Sequence, residues 1–178
     1  MYTTLNKILK QNPCNQKGDK SEGGWQLLLH NLGKTKADNR KLSFKTILKS
    51  NGIIDAVWAL KVLAYEDRCL FMADVAESVL HIFEKKYPDD KRPRKAIDAV
   101  RDYKSKSITK DQLGEARLAA MAADAVAYAD AADAHAVVYA DAADAHAVVY
   151  ADAADAAAAA AGKNRWVEVE SIFIKYFC

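Results

Sequence analysis

An eleven-residue segment, DAADAHAVVYA, occurs twice in tandem in this chain of 178 residues, at 130–140 and 141–151. Tyr128, Tyr139 and Tyr150 mark its period of eleven. Alanine is the best helix former, and eleven residues make three turns of 3.67 residues each, so that successive copies return to nearly the same face. The repeat therefore predicts an α-helix and argues against a β-solenoid.

On such a helix, the rings and the carboxylates of the repeat separate to two sides. The rings form one stripe with alanines on either flank: Tyr128, His135, Tyr139, His146 and Tyr150. The aspartates lie roughly opposite and are the candidate partner-binding residues: Asp130, Asp133, Asp141, Asp144, Asp152 and Asp155. We therefore expect an amphipathic rod with an acidic, solvated face.

The length of the alanine-rich segment bears on its architecture. Residues 110–161 as one straight helix would span about 78 Å, whereas a compact globule of this size is about 40 Å across. An insertion of eleven residues keeps all the following residues on nearly the same faces of the helix. A protruding helix therefore tolerates duplication of the repeat. We expect one long helix, with a two-helix hairpin as the alternative. Val137 and Val148 lie within the acidic stripe, which favours a second surface that covers them.

The remainder of the chain also has a helical pattern. Its apolar residues recur mostly at spacings of three and four, with only three prolines and seven glycines in the whole chain. Helices are predicted over 44–50, from Asp55 onward and over 66–86. The start and stop signals are Ser43, the pair Asn51-Gly52, Pro88, Asp90 and a capping box formed by Thr109 and Gln112. We predict an all-α fold, a bundle of about six to eight helices.

Charge is distributed unevenly, although the formal net charge is only +2. Residues 1–110 carry 22 Lys and Arg against 13 Asp and Glu, residues 111–161 carry 1 against 9, and residues 162–178 carry 3 against 2. We expect a basic helical body over 1–110, an acidic repeat helix over 111–161 and a C-terminal helix over 162–178 that packs on the body, together forming one domain. The acidic segment lies against the body or is available to a basic partner.

Residue types that carry catalysis or bind metals do not combine into a recognisable site. His135 and His146 share a face but lie about 16.5 Å apart along the helix axis, too far to hold one metal ion. The aspartate pairs offer few oxygens for calcium, which takes six to eight. A glycine-rich phosphate loop, HExxH, GxSxG and CxxC are absent from the sequence. We expect no catalytic residue, no metal and no cofactor, and therefore a protein that is not an enzyme.

The sequence also bears on location. It contains no run of about 18 large apolar residues that would span a bilayer, and its start lacks the apolar stretch of a secretion signal. The cysteines show no metal-ligand spacing, and their odd number does not suggest a disulfide framework: Cys14, Cys69 and Cys178. We expect a soluble cytoplasmic protein with reduced thiols and no membrane partner.

A basic run raises the question of nucleic acid. Its cations are Lys91, Arg92, Arg94, Lys95, Arg101, Lys104, Lys106 and Lys110. Four aspartates are interleaved with them, and aromatic platforms are missing apart from Tyr87 and Tyr103, which argues against direct nucleic-acid binding. The alternative is that these cations hold the acidic rod or cap the ends of neighbouring helices.

Several stretches carry a resemblance to a known family. They are GWQLLL at 24–29, LGKTKAD at 32–38, ILKSNGIIDAVWALKVL at 47–63, YPDDKRPRKAIDAVRDY at 87–103 and the alanine-rich tail. In this order they resemble the all-α immunity proteins of bacterial polymorphic toxin systems, the fifth numbered family of that collection, over about residues 24–178. The resemblance implies a protein that binds and neutralises a cognate toxin, and it carries over no catalytic residue.

Three hypotheses of function remain open at this point. The leading one is an inhibitor of a protein toxin, whose basic surface the repeat aspartates would steer. The alternative is an inhibitor encoded by a mobile element, which occupies the nucleic-acid site of a host defence nuclease with carboxylates. A remote alternative is an ice-binding or structural alanine-rich rod. The Tyr, His and Ala face also permits a homodimer.

Overall fold

The computed structural model describes residues 1–13, 24–130 and 165–178. Within these ranges it contains eight α-helices, one 3₁₀ helix and one pair of two-residue strands, so the predicted all-α fold is confirmed. The helices are α1 (Leu5–Leu9), α2 (Gly24–Asn31), α3 (Phe44–Asn51), α4 (Ile53–Trp58), α5 (Tyr65–Lys86), α6 (Arg92–Lys104), α7 (Lys110–Asp130) and α8 (Arg165–Phe177). The 3₁₀ helix is Ala59–Val62, and the strands are β1 (Tyr2–Thr3) and β2 (Leu42–Ser43).

The contacts within the chain divide it into two compact units. Unit 1 comprises Met1–Leu63 and Phe173–Cys178, and unit 2 comprises Ala64–Ile172. The boundary after Leu63 falls inside the segment 1–110 that the charge pattern treats as one basic body. The division of the chain by charge, into 1–110, 111–161 and 162–178, stays a prediction.

In unit 1, the predicted signals begin and end α3. The Ser43 hydroxyl accepts a hydrogen bond from the amide of Thr46 at 3.0 Å, which satisfies one of the free donors at the helix start. Gly52 has a φ of 83° and donates its amide to the carbonyl of Leu48 at 2.9 Å. A residue with a side chain adopts this φ only with strain, so the glycine ends α3.

The helix expected from Asp55 begins two residues earlier. It runs over Ile53–Trp58 as α4 and then tightens into the 3₁₀ helix. Asp55 does not cap it; its Oδ2 atom accepts hydrogen bonds from the amide of Gly24 at 2.8 Å and from the side-chain amide of Asn51 at 2.7 Å. Asp55 therefore ties α4 to the start of α2 and the end of α3.

The strand pair and an aromatic cluster bring the two ends of the chain together in unit 1. β1 and β2 are antiparallel and only two residues each, too short for an alternating pattern to reveal them in the sequence. The ammonium group of Met1 donates to the carbonyl of Phe177 at 2.9 Å. The rings of Phe44, Phe173 and Phe177 pack with centroid distances of 5.0–6.4 Å, and all three side chains are buried.

In unit 2, α6 packs against both α5 and α7. Their shared core consists of Cys69, Ala73, Ala76, Val79, Leu80, Phe83, Ala96, Ile97, Ala99, Val100, Leu113 and Ala120. Five of these are alanines, and small side chains at a contact allow helix axes to approach closely. The face of α6 that lies in this core includes Ala96, Ile97 and Val100, which recur at spacings of one and three.

The start of α6 departs from the prediction by one position. The N-cap residue is Lys91, whose side chain makes no capping bond. Asp90 precedes it, accepts the amide of Arg92 at 3.0 Å and also binds the Arg92 guanidinium. The carboxylate thus satisfies a free amide of the first turn, from one residue further out than an N-cap. Pro93 lies in the first turn, where its missing N–H has no cost.

Candidate partner-binding surface

The first turn of α7 is fixed by the predicted capping box. The amide of Gln112 donates to the Thr109 hydroxyl at 3.2 Å, and the amide of Thr109 donates to Oε1 of Gln112 at 2.8 Å. Each side chain satisfies the other residue's free amide. The box sets the register of the helix, and Lys110, Leu113 and the residues that follow at spacings of three and four share one face.

Of the candidate aspartates of the repeat, only Asp130 lies within the residues that the structure describes. Asp130 is the last residue of α7. The other five lie outside the described residues: Asp133, Asp141, Asp144, Asp152 and Asp155. The stripe residues His135, Tyr139, His146 and Tyr150 lie outside them as well. The long rod, its hairpin alternative and its acidic face therefore stay predictions.

Two arginines of the basic run cross-link α6 to α5. Arg94 donates from Nε and Nη2 to the two carboxylate oxygens of Glu84, both at 2.7 Å. Arg101 donates from Nη2 to Glu77 at 2.5 Å and to Asp74 at 3.1 Å. Arg101, near the end of α6, pairs with Asp74 and Glu77, whereas Arg94, near its start, pairs with Glu84 further along α5. This order is that of antiparallel helices. Charge-assisted bonds of this kind add geometric specificity to the apolar packing beneath them.

These contacts shift the pKa values of Glu84 and Arg101 from their ordinary values. The Arg94 guanidinium, through its hydrogen bonds, holds the pKa of Glu84 below its ordinary value. The hydrogen bonds that Arg101 donates to Glu77, ahead of the one it donates to Asp74, raise the pKa of Arg101. The arginines are therefore engaged with carboxylates of their own unit, a role that the linear sequence did not indicate.

A groove of about 220 Å³ lies where the start of α5, the end of α6 and the start of α7 meet in unit 2. Its lining residues are Tyr65, Glu66, Tyr103, Lys110, Leu113, Gly114 and Arg117. The rings of Tyr65 and Tyr103 have centroids 6.0 Å apart, and Leu113 supplies a buried apolar surface. Beside the groove, the Lys104 ammonium donates to the backbone carbonyl of Glu66.

Gly114 is a residue of this groove that the sequence analysis does not predict. It lies in the fifth position of α7, and a Cβ atom built on it would meet nothing within 4 Å. Its φ lies outside the positive region that glycine alone tolerates well. Neither packing within the described residues nor backbone conformation requires a glycine here. The available signal was a glycine four residues into a capped helix, between Lys110 and Arg117.

The histidines and the buried cysteine do not form a reactive cluster in the described part of the chain. His30 and His81 are exposed, and no group of three or more potential metal ligands occurs among the described residues. Cys69 is buried, with Sγ 3.6 Å from the carbonyl oxygen of Glu66, and burial raises the pKa of its thiol. A nucleophilic cysteine needs the opposite shift.

Comparison with known proteins gives one family match. The model of the family described as "Imm-5 like putative immunity protein" matches residues 64–165, which is more than half of the chain. The match includes the stretch 87–103 but not the stretches 24–29, 32–38 and 47–63, and the numbered family itself stays a prediction. No curated protein and no solved structure matches. Among the described residues, no helix has the length and hydropathy needed to cross a bilayer.

Proposed function

The chain belongs to the Imm-5 like family of immunity proteins, and from that premise we propose that it binds and neutralises a cognate bacterial toxin without catalysing a reaction. A protein of this kind acts by occupancy: it covers or distorts the toxin's active surface for as long as the complex lasts. Its potency therefore depends on association and dissociation rates and not on turnover.

The observation that carries the proposal is the coincidence of the family match with a structural unit. The match covers residues 64–165, and unit 2 covers Ala64–Ile172. Both begin at the same residue, and unit 2 has a core of its own. We infer that the toxin-binding function resides in unit 2, which contains α5, α6, α7 and the repeat.

The second part of the proposal concerns the charge of the toxin. The segment 111–161 carries nine acidic residues against one basic residue. A single-sign surface raises the association rate of a partner of opposite charge, and the effect falls with ionic strength. We propose that the toxin presents a basic surface, as an enzyme that acts on nucleic acid does, and that the aspartates of the repeat steer it.

Co-expression tests the proposed function directly. The toxin domain is taken from the reading frame beside this gene in its native genome and placed under an inducible promoter, with the full chain supplied from a second plasmid. We expect survival with the chain and death without it, together with a complex of the purified proteins on size-exclusion chromatography. Death in both cases, with no complex, would refute the proposal for that toxin.

A charge-reversal pair locates the steering surface. One variant carries Asp141→Lys, Asp144→Lys and Asp152→Lys in the repeat. The matched control reverses three exposed aspartates of unit 2 outside the repeat, Asp67, Asp89 and Asp102, and so has the same net charge. We expect the repeat variant to associate with the toxin about tenfold or more slowly at low salt than the control does. Equal rates would place the steering charges elsewhere.

A further inference from the structure

The groove between α5, α6 and α7 has features of a binding site that the family match does not assign. We propose that it is a docking pocket for a carboxylate side chain presented by a protein partner. The identification of that partner with the toxin rests on the proposed function, whereas the pocket itself follows from its charges, its apolar surface and Gly114.

The lining of the groove favours an anion. Lys110 and Arg117 are seven residues apart on one face of α7, so a cation lies at each end of the groove, about 10 Å apart along the helix axis. Glu66 is the one acidic residue in the lining, and the Lys104 ammonium lies against its backbone carbonyl. Lys110 forms no ion pair within the described residues, in contrast to Arg94 and Arg101 of α6.

The apolar part of the groove favours a side chain over a free ion. The rings of Tyr65 and Tyr103 form one wall; both are partly buried and pack on the core of unit 2, to which Leu113 of the lining belongs. A glutamate or aspartate side chain brings methylene groups that bury area against these rings, while its carboxylate reaches the Lys110 ammonium. A small inorganic anion would pair with the cationic side chain but would leave the surface of the tyrosine rings exposed to water.

Gly114 supplies the third argument. A glycine inside a helix is unfavourable relative to alanine, and nothing within the described residues fills the space above it. The missing side chain keeps the middle of the groove open and lets an occupant approach the helix backbone, which is a recurrent use of glycine at binding sites. The groove therefore contains a glycine that neither the packing of the described residues nor the backbone conformation of α7 requires.

A titration of the full chain tests the pocket without the toxin. The probe is the peptide acetyl-Leu-Glu-Leu-amide, and the matched control is acetyl-Leu-Gln-Leu-amide; inorganic phosphate serves as the free anion. We expect saturable shifts of the backbone amides of Leu113, Gly114 and Arg117 with the Glu peptide, and binding weaker by about fivefold or more with the Gln peptide and with phosphate. No saturable shift, or equal binding of the Gln peptide, would overturn the proposal. Equal or tighter binding of phosphate would make this a site for a free oxyanion and would overturn it too.

Two variants and their controls assign the binding to the groove. Gly114→Leu fills it, and Lys110→Gln removes one cation; Glu115→Leu on another face of α7 and Lys95→Gln on α6 make the same kinds of change at exposed positions. We expect affinity for the Glu peptide to fall about tenfold or more for Gly114→Leu, severalfold for Lys110→Gln, and not measurably for the controls. Thermal unfolding checks the fold, and Gly114→Leu should unfold no earlier than the parent because a helix-interior glycine is replaced. Equal affinities in all four variants would overturn the assignment.

The same variants separate this inference from the proposed function. If the parent chain protects cells from the toxin and Gly114→Leu and Lys110→Gln protect and bind equally well, the toxin does not use the groove although the proposed function stands. If the parent chain neither protects nor binds the toxin, the proposed function fails, and the peptide titration alone decides whether the pocket exists.

Discussion

Gly114 lowers the stability of α7, because a glycine in a helix interior loses more backbone entropy on folding than alanine does. Glu84 and Arg94 act in the opposite direction, since their two parallel hydrogen bonds join α5 to α6. Both effects are about 1 kcal/mol or less at partly exposed positions such as these, and they can be measured one residue at a time.

Gly114→Ala should raise the free energy of unfolding by about 0.5–1 kcal/mol, because alanine is the better helix former and the added methyl group meets nothing within 4 Å. Urea unfolding of the purified variant measures the change. Gly33→Ala is the matched control: its Cβ also meets nothing within 4 Å, but its φ is +64°. That substitution should destabilise by about 1–2 kcal/mol. A destabilised Gly114→Ala would mean that packing requires the glycine, and would remove the third argument for the pocket.

Glu84→Gln should lower stability at neutral pH and not in acid. Arg94 lowers the pKa of Glu84 from its ordinary value of 4.5 in the folded state, so the contribution of this carboxylate is present above pH 4.5 and is lost as the pH falls through the folded-state pKa. The side chains are partly exposed, so the difference at pH 7 should be at most about 1 kcal/mol. Urea unfolding of both proteins across this pH range measures it. Glu115→Gln, at an exposed residue of α7, is the control and should show no such trend. A difference for Glu84→Gln that does not change with pH would contradict the linkage.

At the scale of helices, the capping box of α7 shows what local sequence can predict. In the Thr109 and Gln112 bonds, the Ser43 cap and the Gly52 stop, the two bonded residues are only three or four positions apart, and all three features follow the prediction. The cross-link from Arg101 to Asp74 and Glu77 spans 24–27 residues and depends on how α5 and α6 pack, so the sequence showed a basic run but not its partners.

Thr109→Ala should cost about 1 kcal/mol, because it leaves the amide of Gln112 without its acceptor at the start of α7. Thr109→Ser keeps the hydroxyl and should cost only a few tenths of that. The free energy of urea unfolding is the measurement for both. Equal losses in the two variants would show that the methyl group of Thr109, and not its hydroxyl, stabilises the helix start.

The division into two units is not predicted from the sequence. Unit 1 contains both chain ends, and unit 2 is inserted between its two segments. Residues 1–63 carry 11 Lys and Arg against 4 Asp and Glu, and residues 64–110 carry 11 against 9, so both stretches are net basic and the charge pattern predicts one basic body across Leu63. The six C-terminal residues belong to unit 1 because Phe173 and Phe177 pack on Phe44, a contact across about 130 residues that no local pattern reveals.

This insertion makes the folding of unit 1 depend on the last turn of α8. Phe177→Ala should reduce the free energy of unfolding by about 3–5 kcal/mol, because Phe177 is 1% exposed and its ring contacts Phe44 and Phe173. Trp25, buried in unit 1, reports the transition by fluorescence during urea unfolding. Ile174→Ala, one turn earlier at a side chain 48% exposed, is the control and should cost under about 1 kcal/mol. Similar losses at both positions would mean that the end of α8 stabilises unit 1 through its helical conformation and not through the buried ring of Phe177. A large loss at Phe177 alone would establish that the C-terminal residues, although distant in sequence, complete the core of unit 1.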